Sequence, residues 1–145
     1  AASDVYKRQL AAFPDMKALA QWCDFLIVVI PGSPETHHLV NAEVLDALGP
    51  QGYLVNIARG ALVDTDALIK ALKEHRIAGA ALDVFEHEPH VEEGLIALDN
   101  VVLTPHQGSA TVETRADMAD LVMRNIRKAL SGQAVITPVP GTRKD

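Results

Sequence analysis

Four short apolar runs punctuate the chain: FLIVVI at 25–30, YLVNI at 53–57, GAALDV at 79–84 and VVLT at 101–104. They are near-continuously apolar rather than alternating, the pattern of strands buried on both faces of a parallel sheet. Amphipathic helical patterns separate the first three. Ser33, Pro34 and Glu35 supply a cap, a first-turn proline and an acid at the positive end of a helix dipole. Asn41 can cap a second short helix, with Val44, Leu45 and Leu48 on one side and Gly49 as its stop. Asp64 or Thr65 can cap a third, which buries Leu68, Ile69 and Leu72 and ends near Arg76. A long helix is expected from Ser109 to about Ser131, with Ala119, Val122, Ile126 and Leu130 in one stripe and Gly132 as its stop. The link at 85–100, with Pro89 and many acids, reads as a loop holding one helical turn. Strands alternating with helices predict an α/β fold built on crossovers in an open parallel sheet.

Composition narrows the classes. The 145 residues are enough for one domain with a core, and 48% apolar and 22% charged are ordinary values for a soluble protein. The net charge is −6 with no run of Lys or Arg, which argues against a nucleic-acid surface and against attachment to an anionic membrane. The run at 25–30 falls far short of the ~20 apolar residues of a spanning helix. Cys23 is the single cysteine, so no internal disulfide can form, and with no signal-peptide pattern a cytoplasmic location is expected. Residues 1–9 share no period with the rest of the chain and read as a non-native or disordered leader.

The chemistry-bearing residues cluster after the runs. Ligands of an open parallel sheet gather outside the carboxyl ends of its strands. Pro31, Gly32 and Ser33 follow the first run, and Ala58, Arg59 and Gly60 the second. Asp83 ends the third and leads to Glu86, Glu88 and Pro89; Pro105, His106, Gln107, Gly108 and Ser109 follow the fourth. One edge thus receives an arginine, several acids and a histidine. That set suits the reduction of a 2-oxo acid. Arginine's planar fork binds two oxygens at once, which a lysine does not imitate. Histidine is the natural proton donor near neutral pH, and a carboxylate beside it, such as Glu88, would orient it and stabilise its charged form. The hydride must come from a cofactor, because no side chain supplies one.

The segments Cys23-Asp24 through Pro31, Pro34-Glu35-Thr36, Asn56-Ile57-Ala58-Arg59-Gly60, Val63-Asp64, Leu82-Asp83-Val84-Phe85-Glu86, Glu88-Pro89, Asn100-Val101-Val102 and Pro105-His106 resemble the D-isomer-specific 2-hydroxyacid dehydrogenases. The similarity runs over about residues 18–139. It implies a Rossmann-like sheet, the C-terminal half of a dinucleotide-binding domain over residues 10–131 with its long C-terminal helix. Residues 132–145 would then be an extended tail belonging to a substrate domain. By the same resemblance Arg59 would bind the substrate carboxylate and carbonyl. His106 would be the general acid in reduction, and Glu88, rather than Glu86, its partner. Asp83 would hold the nicotinamide carboxamide. Ile57, Ala58 and the turn His106, Gln107, Gly108, Ser109 would line the nicotinamide, while Pro31 and Thr36 would face the adenosine and phosphate side. Gln107 departs from the family pattern, where an apolar residue is common. No Gly-x-Gly-x-x-Gly precedes the first run, so this polypeptide alone is expected to have negligible activity and weak cofactor affinity.

Within that class, residues 47–52, 112–115 and 118–122 look most like the hydroxypyruvate and hydroxyphenylpyruvate reductases, a branch that favours NADPH over NADH. The resemblance further implies a homodimer. 3-Phosphoglycerate dehydrogenase is a neighbouring alternative, and a dinucleotide-sensing corepressor is an alternative of another class. Other polar and aromatic residues carry plainer expectations. Glu86 is expected as a solvated loop acid, and His37, His38 and His75 as solvated on helix surfaces. Trp22 and Cys23 are expected to pack against the sheet. His87, Glu88 and His90 lack the spacing of a metal site and are interrupted by Pro89.

Overall fold

The computed structural model describes residues 12–141; the expected leader at 1–9 lies outside them. The chain divides into two compact units, one reaching to His106 and the other beginning at Gln107. In the first unit the order is α1 (Met16–Trp22), β1 (Phe25–Val28), α2 (Ala42–Leu48), β2 (Tyr53–Asn56), α3 (Thr65–Lys73), β3 (Gly79–Leu82), α4 (Glu93–Ile96) and β4 (Val101–Leu103). Single 3-10 turns at Pro34–Thr36 and Gly60–Leu62 follow β1 and β2. The second unit holds α5 (Val112–Leu130) and the segment after it.

All four strands are parallel, in the spatial order β1-β2-β3-β4. Val28, Asn56, Leu82 and Leu103 stand side by side at the carboxyl end, so the four following loops share one edge. Capping sets the helix starts as the residue types predict. Asn41 accepts from the amides of Glu43 and Val44, and Asp64, not Thr65, accepts from that of Ala67. Gly49 takes φ 78°, where a side chain would be strained. Ser33 caps only a 3-10 turn, not the longer helix its sequence offers.

The core lies on one side of the sheet. Leu26, Val28, Leu54, Ala80 and Leu82 meet Val44, Leu45 and Leu48 of α2 and Leu68, Ala71 and Leu72 of α3. A fully buried leucine such as Leu45 or Leu68 contributes about 1.5–3 kcal/mol relative to exposure. The opposite face departs from the expectation of strands buried on both sides. Phe25 is 61% exposed, Ile27 55% and Val102 63%, and Phe25 stacks on Tyr53 at 5.2 Å between ring centroids. The reason is topological: strands laid down in sequential order send like-handed crossovers, and so their helices, to one side of the sheet. Trp22 also departs from expectation. It is 68% exposed and touches Phe13, while Cys23 does pack against the core.

In the second unit α5 starts at Val112 with Thr111 as its cap, and Gly132 at φ 68° ends it. Its stripe of Val122, Ile126 and Leu130 is present but exposed. The segment after it is tied back to the helix. Asn125 Oδ1 accepts from the amides of Ile136 (2.7 Å) and Thr137 (3.3 Å), and its Nδ2 donates to Thr137 Oγ1 (2.8 Å).

Candidate active site

Asn56 shapes the loop that carries Arg59. Only 1% exposed, it ends β2, accepts from the amide of Ala58 (3.1 Å) and donates to the carbonyl of Arg59 (2.9 Å). Both polar atoms of a buried amide are thereby satisfied, and the backbone is bent outward between them. Gly60 then presses on the loop after β3. A Cβ placed there would sit 2.0 Å from the carbonyl carbon of Phe85, so only glycine permits the approach. Arg59 lines an open cleft with Pro31, Gly32, Ile57 and Ala58, its Nη1 donating to the carbonyl of Ala58. On the far wall a Cβ at Gly32 would lie 3.2 Å from Cγ of Arg59, so the cleft keeps its width there through the absent side chain.

The loop after β3 delivers Glu88. One oxygen accepts from the amide of Phe85 (2.9 Å), and the other meets Nδ1 of His106 at 2.8 Å. The His106 hydrogen bond, the Phe85 amide and the charge of Arg59 together hold the Glu88 carboxyl below the usual carboxylate range. The charge of Arg59 is therefore felt at the pair. His106 itself stands at φ 49°, a left-handed conformation that costs a non-glycine residue about 1 kcal/mol or more. With Nδ1 taken by the carboxylate, Nε2 is the nitrogen left for a substrate. Phe85, Pro89, Val91 and Pro105 add apolar walls around Glu88 and His106, enclosing about 420 Å³.

The remaining residues divide. Asp83, 8% exposed at the end of β3, accepts from Thr104 Oγ1 at 2.6 Å. Pro31, Ile57 and Ala58 share the cleft with Arg59. Thr36 closes the turn after β1 instead: its hydroxyl accepts from the amide of Ser33 (2.8 Å) and lies 3.1 Å from the Ser33 carbonyl. Gln107, Gly108 and Ser109 belong to the second unit, and the carbonyl of Gln107 accepts from the amide of Ala110.

Among the plainer expectations, His37 is exposed as expected, while those for Glu86 and His38 are overturned. Glu86 is not a solvated acid: its side chain is 16% exposed and bonds His38 Nε2 (2.7 Å) and Thr65 Oγ1 (2.9 Å). Burial pushes its carboxyl up, and these hydrogen bonds outweigh that and bring it down. His37 and His38 stand after the 3-10 turn rather than on a helix, and their rings stack on each other at 3.8 Å. Nothing in their local sequence foretells this, because Glu86 is 48 residues from His38. His87 turns to Glu92 (2.8 Å), whose hydrogen bond raises the imidazole's pKa, so it is not gathered with Glu88.

The family described as D-isomer specific 2-hydroxyacid dehydrogenase, NAD binding domain, matches residues 2–108. The chain is 55% identical over 127 residues to the glyoxylate/hydroxypyruvate reductase A of Arabidopsis thaliana, and 52% over 126 residues to the 2-ketogluconate reductase of Gluconobacter oxydans. These matches take in 88% and 87% of the chain but 41% of each relative, so the chain spans about two fifths of their length. Among solved structures, an NADPH-dependent glyoxylate/hydroxypyruvate reductase from Sinorhizobium meliloti, in complex with NADP and malonate, superposes with a TM-score of 0.86 at 47% identity. That superposition covers 92% of this chain and 43% of the other. By the family match and the parallel sheet alike, the chain belongs to the D-isomer specific 2-hydroxyacid dehydrogenases and carries part of their NAD binding domain.

Proposed function

We propose that the full-length protein is an NAD(P)H-dependent reductase of small 2-oxo acids of the glyoxylate and hydroxypyruvate kind, giving the D-2-hydroxy acid. The observation that carries this reading is the Glu88–His106 pair at 2.8 Å, set at the carboxyl edge of the sheet within the electrostatic reach of Arg59. The open cleft suits a nicotinamide nucleotide: Pro31, Ile57 and Ala58 give it apolar surface, Arg59 a cation, and the missing Cβ at Gly32 leaves room beside Arg59. When bound, that cofactor supplies the hydride.

The chain's own residues do the rest. Arg59 holds the substrate carboxylate and polarises the adjacent carbonyl through its planar fork. His106 donates the Nε2 proton to the oxygen that becomes the hydroxyl, and recovers it in the reverse direction. Glu88 fixes the ring through Nδ1 and balances its positive charge. Asp83, which accepts from Thr104 at the end of β3, would hold the carboxamide of nicotinamide. Ile57, Ala58 and His106 line the nicotinamide side, and Pro31 the adenosine side. NADPH is the preferred donor on this reading, which the NADP-bound relative from Sinorhizobium meliloti supports. The reading also carries a cytoplasmic homodimer, with residues 10–131 in the cofactor domain and 132–145 passing to a substrate domain.

The test is oxidation of NADPH and NADH by the full-length protein with a panel of 2-oxo acids. Turnover is expected with glyoxylate or hydroxypyruvate, faster with NADPH. Tight dinucleotide binding without turnover of any acid would reject the reading in favour of a sensor of the corepressor type.

The role of Glu88 has its own signature. The factors that lower its pKa keep it ionised through the neutral range, so it offers His106 a fixed counter-charge. Glu88→Gln removes that counter-charge. The alkaline limb of the reduction pH–rate profile should then move to lower pH, because the imidazole sheds its proton sooner. An unmoved limb would take Glu88 out of the pair.

A further inference from the structure

We propose a second site, for a late first-row divalent cation such as zinc, made by His37, His38 and Glu86. One ligand atom from each of the three side chains lies within 4.8 Å of the others. Nε2 of His38 is 2.7 Å from Glu86 Oε1, and Nε2 of His37 is 3.8 Å from the same oxygen. Zinc sits about 2.0–2.2 Å from imidazole nitrogen and carboxylate oxygen, so bound ligand atoms stand roughly 3–4 Å apart. Coordination needs the exposed His37 ring to turn out of its stack on His38, so that both imidazole lone pairs point at one ion, with a smaller shift of His38 away from Glu86. The ion takes the place of the proton now shared between His38 and Glu86, and waters complete the coordination. Two imidazoles and one carboxylate select zinc, cobalt, nickel or copper over magnesium or calcium, which want oxygen ligands.

The groups behind the ligands are in place as well. Thr65 Oγ1 donates to the second oxygen of Glu86 at 2.9 Å, which orients the carboxylate. The other ring nitrogen of His38 faces Asp64 Oδ2 at 4.0 Å. The backbone under His38 is pinned by a short run of cross-loop bonds: the amide of His38 to the carbonyl of Ala61, that of Val40 to Leu62, and that of Asp64 to Val40. This run holds His38 at φ 52°, a conformation a non-glycine residue rarely keeps unless its surroundings impose it. The three ligands come from the loop after β1 and the loop after β3, two segments distant in sequence, and an ion would tie them together. Glu86 is two residues before Glu88, so the tie falls on the loop that carries the glutamate of the proposed catalytic pair.

Calorimetric titration of zinc chloride into chelator-treated full-length protein tests the site. His37→Ala is the informative variant, because His37 is more than half exposed and its loss spares the His38–Glu86 bond. The wild type should bind one zinc in this site with an affinity on the order of micromolar, and His37→Ala should weaken it at least tenfold. Glu86→Gln should weaken it similarly, and cobalt should give a visible absorption band in the wild type that both variants lose. Equal zinc binding by the wild type and His37→Ala, or no uptake by the wild type, would overturn the proposal.

Discussion

Arg59→Ala in the full-length protein should lower kcat/KM for 2-oxo acids by about 10²–10⁴, or ~3–5 kcal/mol of transition-state stabilisation. The loss is large because in the proposed reaction one side chain does two things: it neutralises the substrate carboxylate and polarises the carbonyl beside it, through parallel charge-assisted hydrogen bonds. The fold should survive, since the loop is set by Asn56 and Gly60, whose contacts do not involve the guanidinium. Arg59→Lys should recover only a small part of the rate, because a point charge replaces a fork. Steady-state kinetics on both variants checks this. A kcat/KM unchanged in Arg59→Ala would remove the arginine from the reaction.

His106→Ala should act on kcat instead, with a fall of about 10²–10⁴ and a much smaller change in KM. In the proposed reaction the imidazole transfers a proton as the carbonyl is reduced, so its loss is felt in the transition state more than in binding. The left-handed backbone at His106 sharpens the expectation. That conformation is kept at some cost, and the contact it serves is the 2.8 Å bond to Glu88, which aims the ring. Replacing the side chain removes the benefit and leaves the cost. A fall confined to KM would point to a binding role for the histidine.

The elements of the sheet were legible because each carries a local cause. Strands β1 to β4 follow from uninterrupted apolar runs, and Asn41, Asp64, Gly49 and Gly132 mark helix ends through side-chain acceptors or permissive backbone. Arg59, Glu88 and His106 could be singled out because all three follow apolar runs, where a parallel sheet exposes its ligands. Glu88 was separable from Glu86 only through the family's motif, since spacing alone leaves either acid able to reach the histidine. Contacts between distant residues were not legible. Glu86 meets His38 and Thr65 across 48 and 21 residues, and no period or cap announces such a bond. Trp22 was misplaced because an aromatic residue next to a strand usually packs on it, whereas here it ends a helix on the outer side.

The amino-acid pattern by itself determined the α/β class, the order of strands and helices, and the edge on which an arginine, a glutamate and a histidine emerge. These follow from short-range causes: apolar runs, caps and the fixed polarity of a parallel strand. Only the tertiary structure decided that His37 and His38 turn toward Glu86 and that one face of the sheet stays bare of helices in its unit. Those outcomes depend on where loops meet after the chain has closed on its core, and a hydrogen bond a few ångströms long leaves no trace in residues dozens of positions apart.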